Sequence, residues 1–99
     1  MKEIIFAITD KKGRNIYLPK KSWTHITTSH LEMTNYLKEI EETLVNPLKI
    51  TLHPTKADLF FYYTYQKHRK NPEKYLRLIV KYLNNSGFII TAQFVKYVK

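Results

Sequence analysis

The feature that most narrows the fold of this 99-residue chain is a change of apolar period at Pro47. Ahead of it, Met33, Leu37, Ile40 and Leu44 recur at steps of four, three and four, the spacing of one buried helix face. Beyond it the period drops to two. Leu48, Ile50 and Leu52 alternate with Lys49, Thr51 and His53. Three longer runs follow at residues 59–66 (LFFYYTYQ), 75–83 (YLRLIVKYL) and 88–95 (FIITAQFV). A basic loop at 67–73 separates the first two, and Asn84-Asn85-Ser86-Gly87 is a hairpin turn between the last two. The second half of the chain therefore predicts four consecutive antiparallel strands.

The first half predicts a hairpin and then helix. Residues 3–9 (EIIFAIT) are rich in β-branched side chains. Lys11-Lys12-Gly13-Arg14 is a turn in which Gly13 can take a positive φ, and residues 15–18 return as a short strand. Pro19 opens a short helix over 20–27. Ser29 and Glu32 have capping-box spacing, which predicts a main helix over 30–45, stopped by Asn46-Pro47. The expected architecture is α+β: an N-terminal β-hairpin and one or two helices packed on a four-stranded antiparallel sheet, in a single domain over 1–99.

The alternation also sorts the polar residues. With Leu76, Leu78 and Val80 toward the helix, Tyr75, Arg77, Ile79 and Lys81 point the other way. On the next strand Phe88, Ile90, Ala92 and Phe94 are expected in the core, with Ile89, Thr91, Gln93 and Val95 opposite. Lys49, Thr51 and His53 share that outer side. One face is thus apolar and helix-covered, and the other collects cations and hydroxyls. An antiparallel sheet commonly has such a solvated face, whatever its function.

Charge gives that face a partner class. The 17 Lys and Arg outnumber the 8 Asp and Glu, for a net charge of +9. Four acids, Glu32, Glu39, Glu41 and Glu42, fall on the main helix, while Lys67, Arg69 and Lys70 fall in the basic loop. A basic amphipathic membrane helix is therefore not expected, and an RNA-binding sheet face is. The longest apolar run, residues 4–8, is too short to span a bilayer, and Asp10 follows too soon for a signal-peptide core. A cytoplasmic protein with no membrane partner is the expectation.

Composition excludes several chemistries. No cysteine means no disulfide scaffold, thiolate zinc site or thiol nucleophile. Gly13 and Gly87 are the only glycines, so neither a phosphate-binding glycine loop nor a serine elbow can form. Half the acids sit on one helix, against the convergence a two-metal phosphodiesterase needs. No metal and no cofactor are expected. RNA cleavage through the 2′-OH remains: it needs a base, an acid and cations for the phosphorane. Histidine, Lys81, Arg77 and a hydroxyl such as Thr91 supply those types. Of the histidines, His25 and His30 lie about 140° apart on one unbroken helix, so only a break between them lets them converge.

Trp23-Thr24-His25-Ile26, His30-Leu31-Glu32-Met33, Asn46-Pro47, Phe61-Tyr62-Tyr63, Tyr75-Leu76 with Val80-Lys81, and Gly87-Phe88-Ile89-Ile90-Thr91-Ala92 follow one another in the chain. In that order and spacing they resemble the phage-associated barnase–EndoU–colicin–RelE-like nucleases of the BECR ribonuclease superfamily. The resemblance covers residues 21–99. It implies a RelE-like α+β fold and metal-independent, toxin-like endoribonuclease activity. It also implies His25, His30, Lys81 and Thr91 as catalytic residues, with either histidine as base or acid. Family members often carry an aromatic two residues after the threonine, where this chain has Gln93. Arg77, Gln93, Lys49, His53, Tyr75, Lys67, Arg69 and Lys70 are the expected RNA contacts. A basic ribonuclease needs restraint in the cell, so an acidic antitoxin-like protein is an expected partner. Two other readings stand beside it: a non-catalytic RNA-binding module, and a degenerate nuclease fold serving as a protein-interaction domain.

Overall fold

The computed structural model describes residues 3–98. The fold is α+β, and its sheet has six strands rather than the expected four. The N-terminal hairpin is β1 (Ile4–Thr9) and β2 (Asn15–Pro19), with Gly13 at φ 82° in the turn. Helix α1 (Lys20–Ser29) follows directly, then a 3-10 turn (Leu31–Asn35) and helix α2 (Leu37–Val45). Strands β3 (Lys49–Leu52), β4 (Leu59–Tyr65), β5 (Tyr75–Tyr82) and β6 (Ser86–Val95) form the antiparallel meander. The hairpin is not a separate layer. It joins the meander through a parallel β2–β6 pairing, giving the order β1-β2-β6-β5-β4-β3. Period-two patterning reports that a strand exists but not which strand lies beside it.

The seam between hairpin and meander is short: Asn15, Ile16 and Tyr17 face Ser86, Gly87 and Phe88. Gly87 belongs to this seam and not to the preceding turn. A Cβ there would lie 2.6 Å from the Lys81 carbonyl oxygen and 3.0 Å from Ile16 Cδ1, so three strands close up only around a glycine. Beyond Phe88, β6 pairs with no further strand on its β2 side among the described residues, and α1 packs against β6.

The single helix expected over 30–45 is broken. Among the described residues no side chain caps either segment, so the capping box of Ser29 and Glu32 does not form. The Thr34 hydroxyl donates to the Leu31 carbonyl, a local bond that competes with helix propagation. Tyr36, at φ −117° and ψ 19°, leaves helical geometry and sets its ring edge-on to Phe94 at 4.9 Å. Met33, Ile40 and Leu44 remain buried as their spacing requires. Together with Ile26 they meet Ile16, Leu18, Tyr62, Leu76, Leu78, Val80, Ile89, Ala92 and Phe94 in one core on the helix side of the sheet.

One residue shift corrects the outer face. The β5–β6 register slips between Ile79 and Val80, so Val80 pairs with Ile89 while Ile79 pairs with Thr91, and Ile90 is left over. This bulge turns Ile89 into the core and Phe88 and Ile90 out of it, reversing the expectation for these three residues. Thr91 and Gln93 keep their expected side, because they lie beyond the bulge.

Candidate functional site

The uncovered face carries most of the anticipated polar residues in register. Lys49, Tyr63, Arg77 and Gln93 form one row across four strands, and Thr51, Phe61, Ile79 and Thr91 form the next. Arg77 and Lys81 therefore sit one pleat either side of the residue opposite Thr91. Tyr75 faces Val95 and Tyr65, and its ring lies 5.1 Å from that of Tyr65.

This face is not simply a wet surface. Phe61 and Tyr63 project from it and are nonetheless buried. The Arg77 guanidinium lies 5.0 Å from the Phe61 ring centre, and the His53 ring meets the same phenyl edge-on at 5.5 Å. Arg77 Nε and Thr51 Oγ1 are buried with no hydrogen-bond partner among the described residues. A guanidinium held on an aromatic floor keeps its remaining donors pointing outward, which suits planar or phosphate-bearing ligands.

The four histidines differ. His53 Nδ1 accepts from the backbone N–H groups of Thr55 and Lys56, both at 3.2 Å. That leaves Nε2 as the protonated nitrogen in the neutral ring. Among the described residues no side-chain hydrogen bond orients His25, exposed on α1, or His30, half-buried where α1 gives way to the 3-10 turn. His68 is exposed in the 66–74 loop. Thus the histidine with a fixed ring on the sheet face is His53, which the sequence suggests only as a contact. Lys81 pairs with Asp58 at 3.8 Å, with both side chains about half exposed. Such a pair contributes little to stability, so the ammonium is available to a stronger anion. His25, His30, Lys81 and Thr91 make no hydrogen bond to one another among the described residues.

Arg69 is engaged within the protein. Its side chain is only 9% exposed and its guanidinium covers Phe94 at 3.7 Å. It also bonds the Glu32 carboxylate at 3.0 Å and the Glu73 carbonyl at 2.7 Å. The basic run hides this role because the partners lie elsewhere in the chain. Lys67 and Lys70 are exposed as expected.

Sequence reasoning missed a second polar cluster entirely, at the corner where the hairpin turn meets β4 and β5. Asp10 is only 5% exposed. One of its carboxylate oxygens accepts from the backbone N–H groups of Lys12 (3.0 Å) and Arg14 (2.8 Å), closing the turn. The other accepts the Tyr62 hydroxyl, and the Tyr62 oxygen in turn bonds Tyr82. With the Tyr62 proton committed to Asp10, Tyr82 is the donor in that second bond. Burial, followed by the bonds to Asp10 and Tyr82, pushes the Tyr62 phenol far above the usual tyrosine range. Tyr82 is raised too, chiefly by burial. The Tyr82 ring stacks on Phe60 at 4.1 Å and lies under the Arg14 guanidinium at 4.0 Å. Nothing local in the sequence joins Asp10 to Tyr62 or Tyr82. A lone acid beside a basic turn is the single hint.

No group of three or more potential metal ligands occurs among the described residues. Nor is any helix there long and apolar enough to cross a membrane. Comparisons with protein-family models, with curated proteins and with solved structures find no match to this chain.

Proposed function

We propose that the chain is a metal-independent endoribonuclease acting through its uncovered sheet face. The observation that carries this reading is the position of Thr91, facing Ile79 between Arg77 and Lys81, on the face where His53 and Arg77 rest on Phe61. Two cations flanking a hydroxyl along one sheet face are groups of the kind a phosphodiester needs as negative charge builds on the phosphorane. The 2′-OH of the RNA is the nucleophile: it bonds to phosphorus, the 5′-oxygen leaves, and a 2′,3′-cyclic phosphate results. One base removes the 2′-OH proton and one acid returns a proton to the leaving oxygen. Lys81 and Arg77 stabilise the phosphorane and Thr91 orients it.

The histidine is assigned among three. His25 lies on α1, which packs against β6, His30 follows it, and His53 is the one with a fixed ring. The resemblance to the nuclease family supports the first two, and the hydrogen bonds of His53 support the third.

The test is cleavage of generic RNA by the purified protein in EDTA, with Lys81→Ala, Thr91→Ala and each histidine changed to Ala in turn. Loss of one acid–base group is expected to lower the rate by roughly 10²–10⁴-fold. A product ending in a 2′,3′-cyclic phosphate supports the mechanism. Dependence on added Mg²⁺, or full activity in Lys81→Ala and in a variant with His25, His30 and His53 all changed to Ala, overturns it. Binding without turnover and with steep salt dependence assigns the same face to an RNA-binding module.

A further inference from the structure

The corner built on Asp10 opens into a cleft of about 410 Å³ lined by Lys12, Arg14, Ile50, Leu52, Phe60 and Tyr82. Ile50 pairs with Tyr62, and Leu52 with Phe60, so its floor lies on the helix side of the sheet, away from the row of Lys49, Arg77 and Gln93. Its size falls within the range of small-molecule pockets, roughly 300–1,000 Å³.

The chemistry of the walls is divided. The floor is two aliphatic side chains and a phenyl ring. The rim is two cations from the hairpin turn. Among the described residues Arg14 Nε is buried with no hydrogen-bond partner, although Arg14 lines the cleft. A buried charged donor left unpaired is uncommon and marks a place where a partner is gained. Asp10 does not supply that partner. Its oxygens are taken by Tyr62 and by two backbone N–H groups, and the phenols stand between it and Phe60. Both phenols are held neutral by burial. Lys12 and Arg14 against Asp10 leave the corner with one net positive charge.

We propose that this cleft is a second binding site, taking a small amphipathic anion: a flat apolar ring bearing one phosphate or carboxylate. The ring lies against Ile50, Leu52 and Phe60, and the anionic group meets Arg14 and Lys12. The site is independent of the reading of the opposite face as a ribonuclease. It can exist whether or not the chain cleaves RNA.

The experiment is isothermal titration of the full chain with phenyl phosphate, inorganic phosphate and phenol. Phenyl phosphate is expected to bind at least about tenfold more tightly than either half alone, because the ring and the anion each lose a partner when separated. Lys12 and Leu52 are exposed, so Lys12→Glu and Leu52→Asp leave the folded core intact. Each should weaken phenyl phosphate by about tenfold or more. Lys38→Glu, the same charge change at an exposed position on α2, should leave it within about twofold. Equal losses in the Lys12 and Lys38 variants reduce the effect to general attraction by a basic protein and overturn the site. So does phenyl phosphate binding no better than inorganic phosphate. RNA cleavage assayed on the same variants separates the two readings, since Lys12→Glu is expected to remove the ligand and spare the cleavage.

Discussion

The two polar clusters of this molecule lie on opposite sides of one sheet and are built by different rules. On the uncovered face, Lys49, Arg77, Lys81, Thr91 and Gln93 are neighbours because strands alternate and pair in sequence order. Most of their charge still meets solvent or a weak partner. At the corner, Asp10, Tyr62 and Tyr82 come from three separated segments, are buried or half-buried, and satisfy one another. The first arrangement leaves donors free for a ligand. The second uses its own donors to fix the hairpin turn against the meander, and only its outer members, Arg14 and Lys12, remain for anything else. Polar groups of the same types thus serve recognition where they are left wet and architecture where they are closed in.

Removing a corner group should therefore cost stability, and removing a face group should cost binding. The largest effect is expected from Asp10→Ala, which strips the acceptor from the Tyr62 hydroxyl and from two turn N–H groups. A loss of about 3 kcal/mol in urea unfolding is expected, and a loss below about 0.5 kcal/mol would erase the contrast between the clusters. Next is alkaline pH. Tyr62 is raised in the fold, so its neutral form stabilises the native state fully below the ordinary tyrosine pKa of about 10. That contribution declines by about 1.4 kcal/mol per pH unit above it, because only the unfolded chain can ionise there. Unfolding midpoints from pH 9 to 11 should fall less steeply in Tyr62→Phe than in the parent. Arg69→Ala should cost about 1 kcal/mol and leave RNA affinity unchanged, since this cation faces Phe94 and Glu32. Smallest is Lys49→Ala: stability within about 0.5 kcal/mol of the parent, with the slope of RNA affinity against salt reduced by about one contact. A destabilised Lys49 variant with normal RNA binding would invert the comparison.

Legibility in the sequence followed the same division. Every strand was foreseeable because Leu76, Leu78 and Val80, or Ile50 and Leu52, carry the period that a half-buried strand requires. The outer face followed from that period alone. Three things did not. The parallel contact of β2 with β6 depends on strands from the two ends of the sequence, which periodicity does not join. The bulge at Ile90 moves one residue and exchanges the sides of Phe88 and Ile89, and nothing in Phe88-Ile89-Ile90, all apolar, announces it. The break at Tyr36 overrides a regular apolar stripe because Thr34 bonds its own backbone and Tyr36 packs on Phe94. Of the anticipated RNA contacts, Arg69 is enclosed by the protein itself, for a related reason. A basic residue in a basic loop reads as solvent-facing until its distant acid and its aromatic partner are known.

The three-residue seam at Gly87 has a consequence for the order of events during synthesis. The hairpin is made well before the strand it must pair with, so its exposed edge has to wait while everything from α1 to β5 is added. Until β6 arrives, Ile16 has a strand neighbour on its β1 side alone. A side chain at position 87 would press first on the Lys81 carbonyl, inside the β5–β6 hairpin, and only second on Ile16 across the seam.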